Sequence, residues 1–138
     1  MTDIEKAREM LKGDLTCVLV RDDTVYTSMK KGIAPLLKFL DEQTDLKGFS
    51  VADRIVGKAA ASLYVLAGVR EVYGEVMSIR GAEKLDEYQI PCSCKTKVEK
   101  IINRTGDDIC PMEKTVEDID DPEEAYHALQ KKIKSLMK

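Results

Sequence analysis

Short β-rich runs alternate with amphipathic helical stretches along the whole chain, and this alternation restricts the fold more than any single motif. Thr2 and Glu5 form a capping-box pattern ahead of a helix with Ile4, Ala7 and Leu11 on one face, and Gly13 is its stop. Thr16–Arg21 and Thr24–Ser28 read as a hairpin around Asp22-Asp23, a turn without the preferred glycine. Ile33, Leu36, Leu37 and Leu40 recur at helical spacing, with Pro35 in the first turn. Ser50-Val51-Ala52-Asp53 reads as a capping signature opening a helix that runs to about Ala67 and stops at Gly68. Its small residues, Gly57 and Ala59 to Ser62, predict close packing. Val69–Met77 and Ile90–Val98 read as strands around a short helix from Gly81 to Tyr88, and Pro91 suggests an edge. Asn103–Pro111 reads as a loop turning at Thr105-Gly106-Asp107-Asp108. The last helix starts at Asp120-Asp121-Pro122 with Tyr126, Leu129, Ile133 and Leu136 as its buried stripe. The order α-β-β-α-α-β-α-β-α predicts a three-layer α/β domain whose mixed sheet has two antiparallel strands first.

A chain of 138 residues predicts a single domain over 1–138. Lysine and arginine total 22 against 25 acids, so no basic field is present to hold nucleic acid or anionic lipid. Tryptophan is absent and aromatics are 5%, too few for a base-stacking platform. The most apolar stretch, Ala59–Val69, is far shorter than the ~20 residues that span a bilayer. The charged start Met1–Lys6 leads into no signal-type apolar run, so the four cysteines read as reduced thiols of a cytoplasmic protein.

Three segments carry a resemblance. Ser50–Ala61 (SVADRIVGKAAA), Ile102–Lys114 (INRTGDDICPMEK) and Asp118–Ala125 (DIDDPEEA) are similar to those of a family of small uncharacterised bacterial proteins. That family is a domain of unknown function whose representative fold is cytidine-deaminase-like. The similarity covers nearly the whole chain in order. It implies a helix-flanked mixed sheet of about five strands, related to the nucleobase and nucleoside deaminases.

Deaminase chemistry tests that relation. Zinc deaminases place a His or Cys and a Glu at one helix start, and P-C-x-x-C at the next. Here Ser50-Val51-Ala52-Asp53 offers no His, Cys or Glu, and Met77-Ser78-Ile79-Arg80-Gly81 offers no cysteine. His127, the single histidine, falls in the last helix. The expectation is a zinc-independent deaminase-fold protein without metal or cofactor, binding a small polar or nucleotide-like ligand. The alternatives are a non-catalytic binding or regulatory module, or a cysteine-based metal or redox protein.

The candidate catalytic residues are Cys110, Asp53 and Lys58. Cys110 precedes a helix start, where N–H groups stabilise a thiolate. Asp53 falls at the third helical position and Lys58 mid-helix, beside a helix N-terminus that attracts anions. Ser50, Asn103, Arg104 and Glu113 are the candidate ligand-binding residues, as donors or acceptors for a polar group. Each also has a plain structural reading, as a cap, a turn former or a solvated side chain. Cys92 and Cys94, two apart on a strand, share one face and read first as packing residues. The Asn103–Glu113 segment is expected to fold across the start of the Ser50 helix and close a cleft there.

Overall fold

In a computed structural model, which describes residues 1–103 and 105–136, Thr2 and Glu5 form the expected capping box. Glu5 N–H donates to Thr2 Oγ1 at 3.3 Å and Thr2 N–H donates to Glu5 Oε1 at 3.0 Å, opening α1 (Asp3–Met10). The hairpin forms as β1 (Cys17–Arg21) and β2 (Thr24–Ser28). Asp22 takes the positive φ of 54° that its turn requires, and its N–H donates to Asp3 Oδ2 at 3.2 Å. Aspartate tolerates this conformation better than most residues, so the missing glycine is not disabling.

After α2 (Ala34–Asp41), the structure departs from the expected helix over 50–67. Ser50–Val56 is a strand, β3, and the helix α3 covers only Lys58–Ala67. β3 lies in the middle of the sheet, antiparallel to β1 and parallel to β4 (Glu71–Ser78). A strand covered on both faces loses the polar alternation that marks an ordinary strand, which is why its sequence imitates a helix start. The supposed capping serine is a cross-strand group: Ser50 Oγ donates to Glu71 Oε2 at 2.6 Å, between register partners.

The chain then runs through α4 (Ile79–Glu87), β5 (Cys92–Val98), α5 (Pro111–Val116) and α6 (Pro122–Leu136). The five strands are ordered β2-β1-β3-β4-β5, with β3, β4 and β5 parallel. Periodicity had supplied four of them; β3 is the fifth. The main core lies under α2, α3 and α4, where Leu19, Leu36, Val51, Leu63, Val72 and Leu85 are buried together. A smaller core joins α1 to the opposite face through Ala7, Leu11, Val18, Val20, Ala52 and Tyr73. This is an α/β fold with helices on both faces of a mixed sheet. α5 and α6 pack outside α3. The stripe expected on α6 is only partly buried: Ala125 and Leu129 are enclosed, whereas Ile133 is half-buried and Leu136 exposed.

Arg54 fastens the α1–β1 connection to the sheet. Its guanidinium donates to the carbonyls of Leu15 (2.9 Å) and Gly13 (3.0 Å) and pairs with Glu75 at 2.9 Å. Gly81 lets α4 start tightly against the β3–α3 junction, since a Cβ there would lie 2.9 Å from the carbonyl oxygen of Val56. Among the described residues, no helix is long and apolar enough to cross a membrane.

Candidate functional site

β3 ends at Val56, Gly57 caps the next helix in extended conformation, and α3 begins at Lys58. The orphan N–H groups of a first helical turn need an acceptor. Glu113, on α5, supplies it from 55 residues away. Lys58 N–H donates to Glu113 Oε1 and Ala59 N–H to Glu113 Oε2, both at 2.8 Å. Gly57 makes room, because a Cβ on it would overlap this carboxylate. Burial raises the Glu113 proton affinity above the usual glutamate value, against the opposing pull of the two N–H groups and Lys58. The helix N-terminus expected at Ser50 is therefore at Gly57–Lys58, and its anion is a side chain of the same protein.

Lys58 is not mid-helix but in this first turn. Its stem is buried, and its amino group donates to the Glu117 carbonyl at 3.0 Å, with Asp120 Oδ1 at 3.8 Å. It lines a small pocket of about 300 Å³ that Arg80, Lys100, Glu99, Glu113 and Glu117 also line. Signs are mixed there, with cations and carboxylates interleaved.

The larger cavity is an open cleft of about 710 Å³ between the β3–α3 junction and the 101–113 segment. Its size falls in the range of small-molecule sites. Ile33, Ile55, Ile102, Met112, Ile133 and Leu136 make most of its walls apolar. Ile55, Ile102 and Leu136 remain 51%, 50% and 56% exposed, so the cleft carries its apolar character out to solvent. The stripe of α6 that fails to reach the core forms part of this wall.

Asp53 also lines the cleft, although only 7% of it is exposed. It lies on the α3 side of β3. Tyr64 Oη donates to Asp53 Oδ2 at 2.6 Å, and Ile55 N–H donates to Oδ1 at 3.3 Å. Cys17 Sγ lies 3.5 Å from the Tyr64 oxygen. With the Tyr64 proton directed at Asp53, the thiol is the donor to Tyr64, which sets a buried chain Cys17–Tyr64–Asp53. No ion pair reaches Asp53 among the described residues. Burial pushes its pKa up to about 7, and the bonds from Tyr64 and the backbone only moderate that rise. Burial raises the Cys17 thiol and the Tyr64 hydroxyl as well.

Asp53, Asn103, Cys110 and Glu113 thus line one cleft, and Glu113 also lines the smaller pocket with Lys58. Ser50 lines neither; it is enclosed in the sheet. Arg104 lies outside the described residues. Asn103 spends its side chain on its own turn, accepting the Gly106 N–H at 2.9 Å and donating to Asp107 Oδ1 at 3.1 Å. Cys110 caps α5, a helix of 6 residues, without a side-chain bond. Tyr64 and Ile55 were missed by the sequence reading, in which Gly57 is only a closely packed small residue and Cys17 only a reduced thiol. Only a correct break between β3 and α3 would have turned Tyr64 toward Asp53.

Cys92 and Cys94 share the core-facing side of β5 as free, half-buried thiols. Among the described residues no group of three His, Cys, Asp or Glu side chains is arranged to hold a metal ion. Cys110 is half-buried at the cleft, whereas Cys17 is 2% exposed with its thiol raised by burial. Iodoacetamide at pH 8 is expected to modify Cys110 at least about tenfold faster than Cys17. Mass mapping of the alkylated peptides checks this, and equal rates would contradict the burial of Cys17.

No curated protein matches the sequence. A crystal structure of a DUF1893 family protein, TM1506 from Thermotoga maritima, is similar to this fold with a TM-score of 0.86. The two sequences are 27% identical, and the similarity covers 94% of this chain and 89% of that one. Residues 6–133 match the family described as TM1506, a domain of unknown function (DUF1893), and the chain belongs to that family.

Proposed function

We propose that this protein binds a small molecule in the cleft between the β3–α3 junction and the 101–113 segment, on a scaffold resembling the cytidine-deaminase fold. The observation that carries this reading is Asp53: a buried carboxylate with no cationic partner among the described residues, lining an otherwise apolar cleft. Burying such a group is costly unless something compensates it. A fold that carries the cost at the wall of a cavity has a use for the group there. The residues at the starts of α3 and α4, Gly57-Lys58-Ala59 and Ile79-Arg80-Gly81, contain no His or Cys, so the zinc-independent reading is retained. The walls favour a ligand with a largely apolar body. This moves the emphasis away from a nucleotide, whose phosphates would find little to pair with among Ile55, Ile102 and Met112.

An NMR fragment screen on the ¹⁵N-labelled protein tests the reading. The expected result is a set of binders whose shift changes cluster at Asp53, Ile55, Ala60, Ile102 and Met112. Changes confined to the Lys58–Arg80 pocket, or the absence of binders, would overturn it.

A further inference from the structure

The cleft's polar groups are unequal in what they have left to offer a ligand. Glu113 accepts one bond from the α3 N-terminus on each oxygen. Asn103 is committed to its turn. Arg54 turns its guanidinium to the opposite face of the sheet, against Glu75 and the Leu15 and Gly13 carbonyls. Lys58 is turned away to Glu117. Asp53 and Glu113 each accept two uncharged donors, one on each oxygen, which leaves about two acceptor sites on each carboxylate. They differ in their charged neighbours: Lys58 lies close to Glu113, whereas no ion pair reaches Asp53 among the described residues.

We propose that the ligand of this cleft is an apolar amine, its body seated against Ile55, Ile102 and Met112 and its protonated amino group against Asp53. The inference rests on the cleft being a binding site. A carboxylate in an apolar enclosure gains most from a cation, because low polarity strengthens the pair and removes the penalty of leaving the charge alone. A neutral hydroxyl would recover only part of that, and an anion would be repelled. The groups facing Asp53 are Tyr64 from α3 and Cys17 from β1, both held neutral by burial, and Lys31 and Glu113 also line the cleft. The pH response expected of binding is that of Asp53, the carboxylate that meets the amine. Below neutrality the amine must displace a proton, and above it the carboxylate is already free.

The test uses tryptamine as the probe, with indole-3-ethanol and indole-3-acetate as neutral and anionic counterparts of similar shape, followed by NMR shift titration of the full chain. Tryptamine is expected to bind at least about tenfold more tightly than indole-3-ethanol, as suits a charge-assisted contact. Its affinity should rise roughly tenfold between pH 6 and pH 8 and then level off. Asp53→Asn should remove both the amine preference and the pH response. Shift changes at Ile55, Ile102 and Met112 with indole-3-ethanol binding as well as tryptamine would overturn the amine while leaving the cleft as a binding site. No shift changes there with any of the three would overturn both. If the Asn variant does not fold, the unsubstituted protein decides: equal affinity for tryptamine and indole-3-ethanol at pH 8 refutes a role for Asp53.

Discussion

Asp53→Asn is expected to gain roughly 3 kcal/mol in stability, relative to the unsubstituted protein, between pH 5 and pH 9. In the folded chain the Asp53 pKa is raised from 3.8 to about 7. Stability from the protonated form is fully present below the unfolded value and is lost as pH rises through 7. At 1.36 kcal/mol for each tenfold in proton affinity, keeping the folded carboxylate ionised costs about 4 kcal/mol. Asparagine avoids that cost and still accepts the Tyr64 proton. Its NH2 replaces the oxygen that accepts the Ile55 N–H and finds no acceptor there, a cost of about 1–3 kcal/mol that is the same at both pH values. Urea unfolding of both proteins at the two pH values measures the difference. A stability difference that does not change between pH 5 and pH 9 would mean that Asp53 is not a strained carboxylate. A gain in stability joined to a loss of ligand binding is the pattern of a residue kept for function.

The second large effect concerns the carboxylate that closes α3. Glu113→Ala leaves two N–H groups of the α3 first turn without their charged acceptor and should cost about 3 kcal/mol. Gly57→Ala attacks the same contact from the other side, since the new methyl would occupy the space of the Glu113 carboxylate. It should cost about 2 kcal/mol alone. The two losses should not add: in the Glu113→Ala background the Gly57→Ala change should cost under about 0.5 kcal/mol, because the group it collides with is gone. Denaturant unfolding of the four proteins in this cycle is the measurement. Strict additivity would mean that Glu113 does not dock at Gly57.

Much of the architecture was legible before the structure. Thr2 and Glu5 mark the start of α1, Gly68 marks the end of α3 with a φ of 74°, and the acids ahead of Pro122 open α6. Each of these signals is local: a cap, a stop or a dipole effect acts within one turn of its own residue. The hairpin was legible for the same reason. β3 was not, because a strand enclosed on both faces has lost its alternation, and Ser50 and Asp53 at a spacing of three imitate a helix cap.

The same distinction separates the two halves of the site. Sequence alone singled out two segments, Asp53 and Lys58 in one and Asn103, Cys110 and Glu113 in the other, with no zinc-ligand pattern of the deaminase kind. It pointed to a polar ligand, and the apolar walls emerged only when Ile33, Ile55, Ile102 and Ile133 were brought together from four separate segments. Tertiary structure decided the roles. Glu113 caps α3, because the helix N-terminus beside it needed an acceptor. Ser50 left the site when its segment became a strand. Asp53 acquired its raised proton affinity from burial in a core assembled from distant segments, against the hydrogen bond from Tyr64 that opposes the rise. A pKa and a cavity are properties of what surrounds a group, and those surroundings exist only after distant segments have packed.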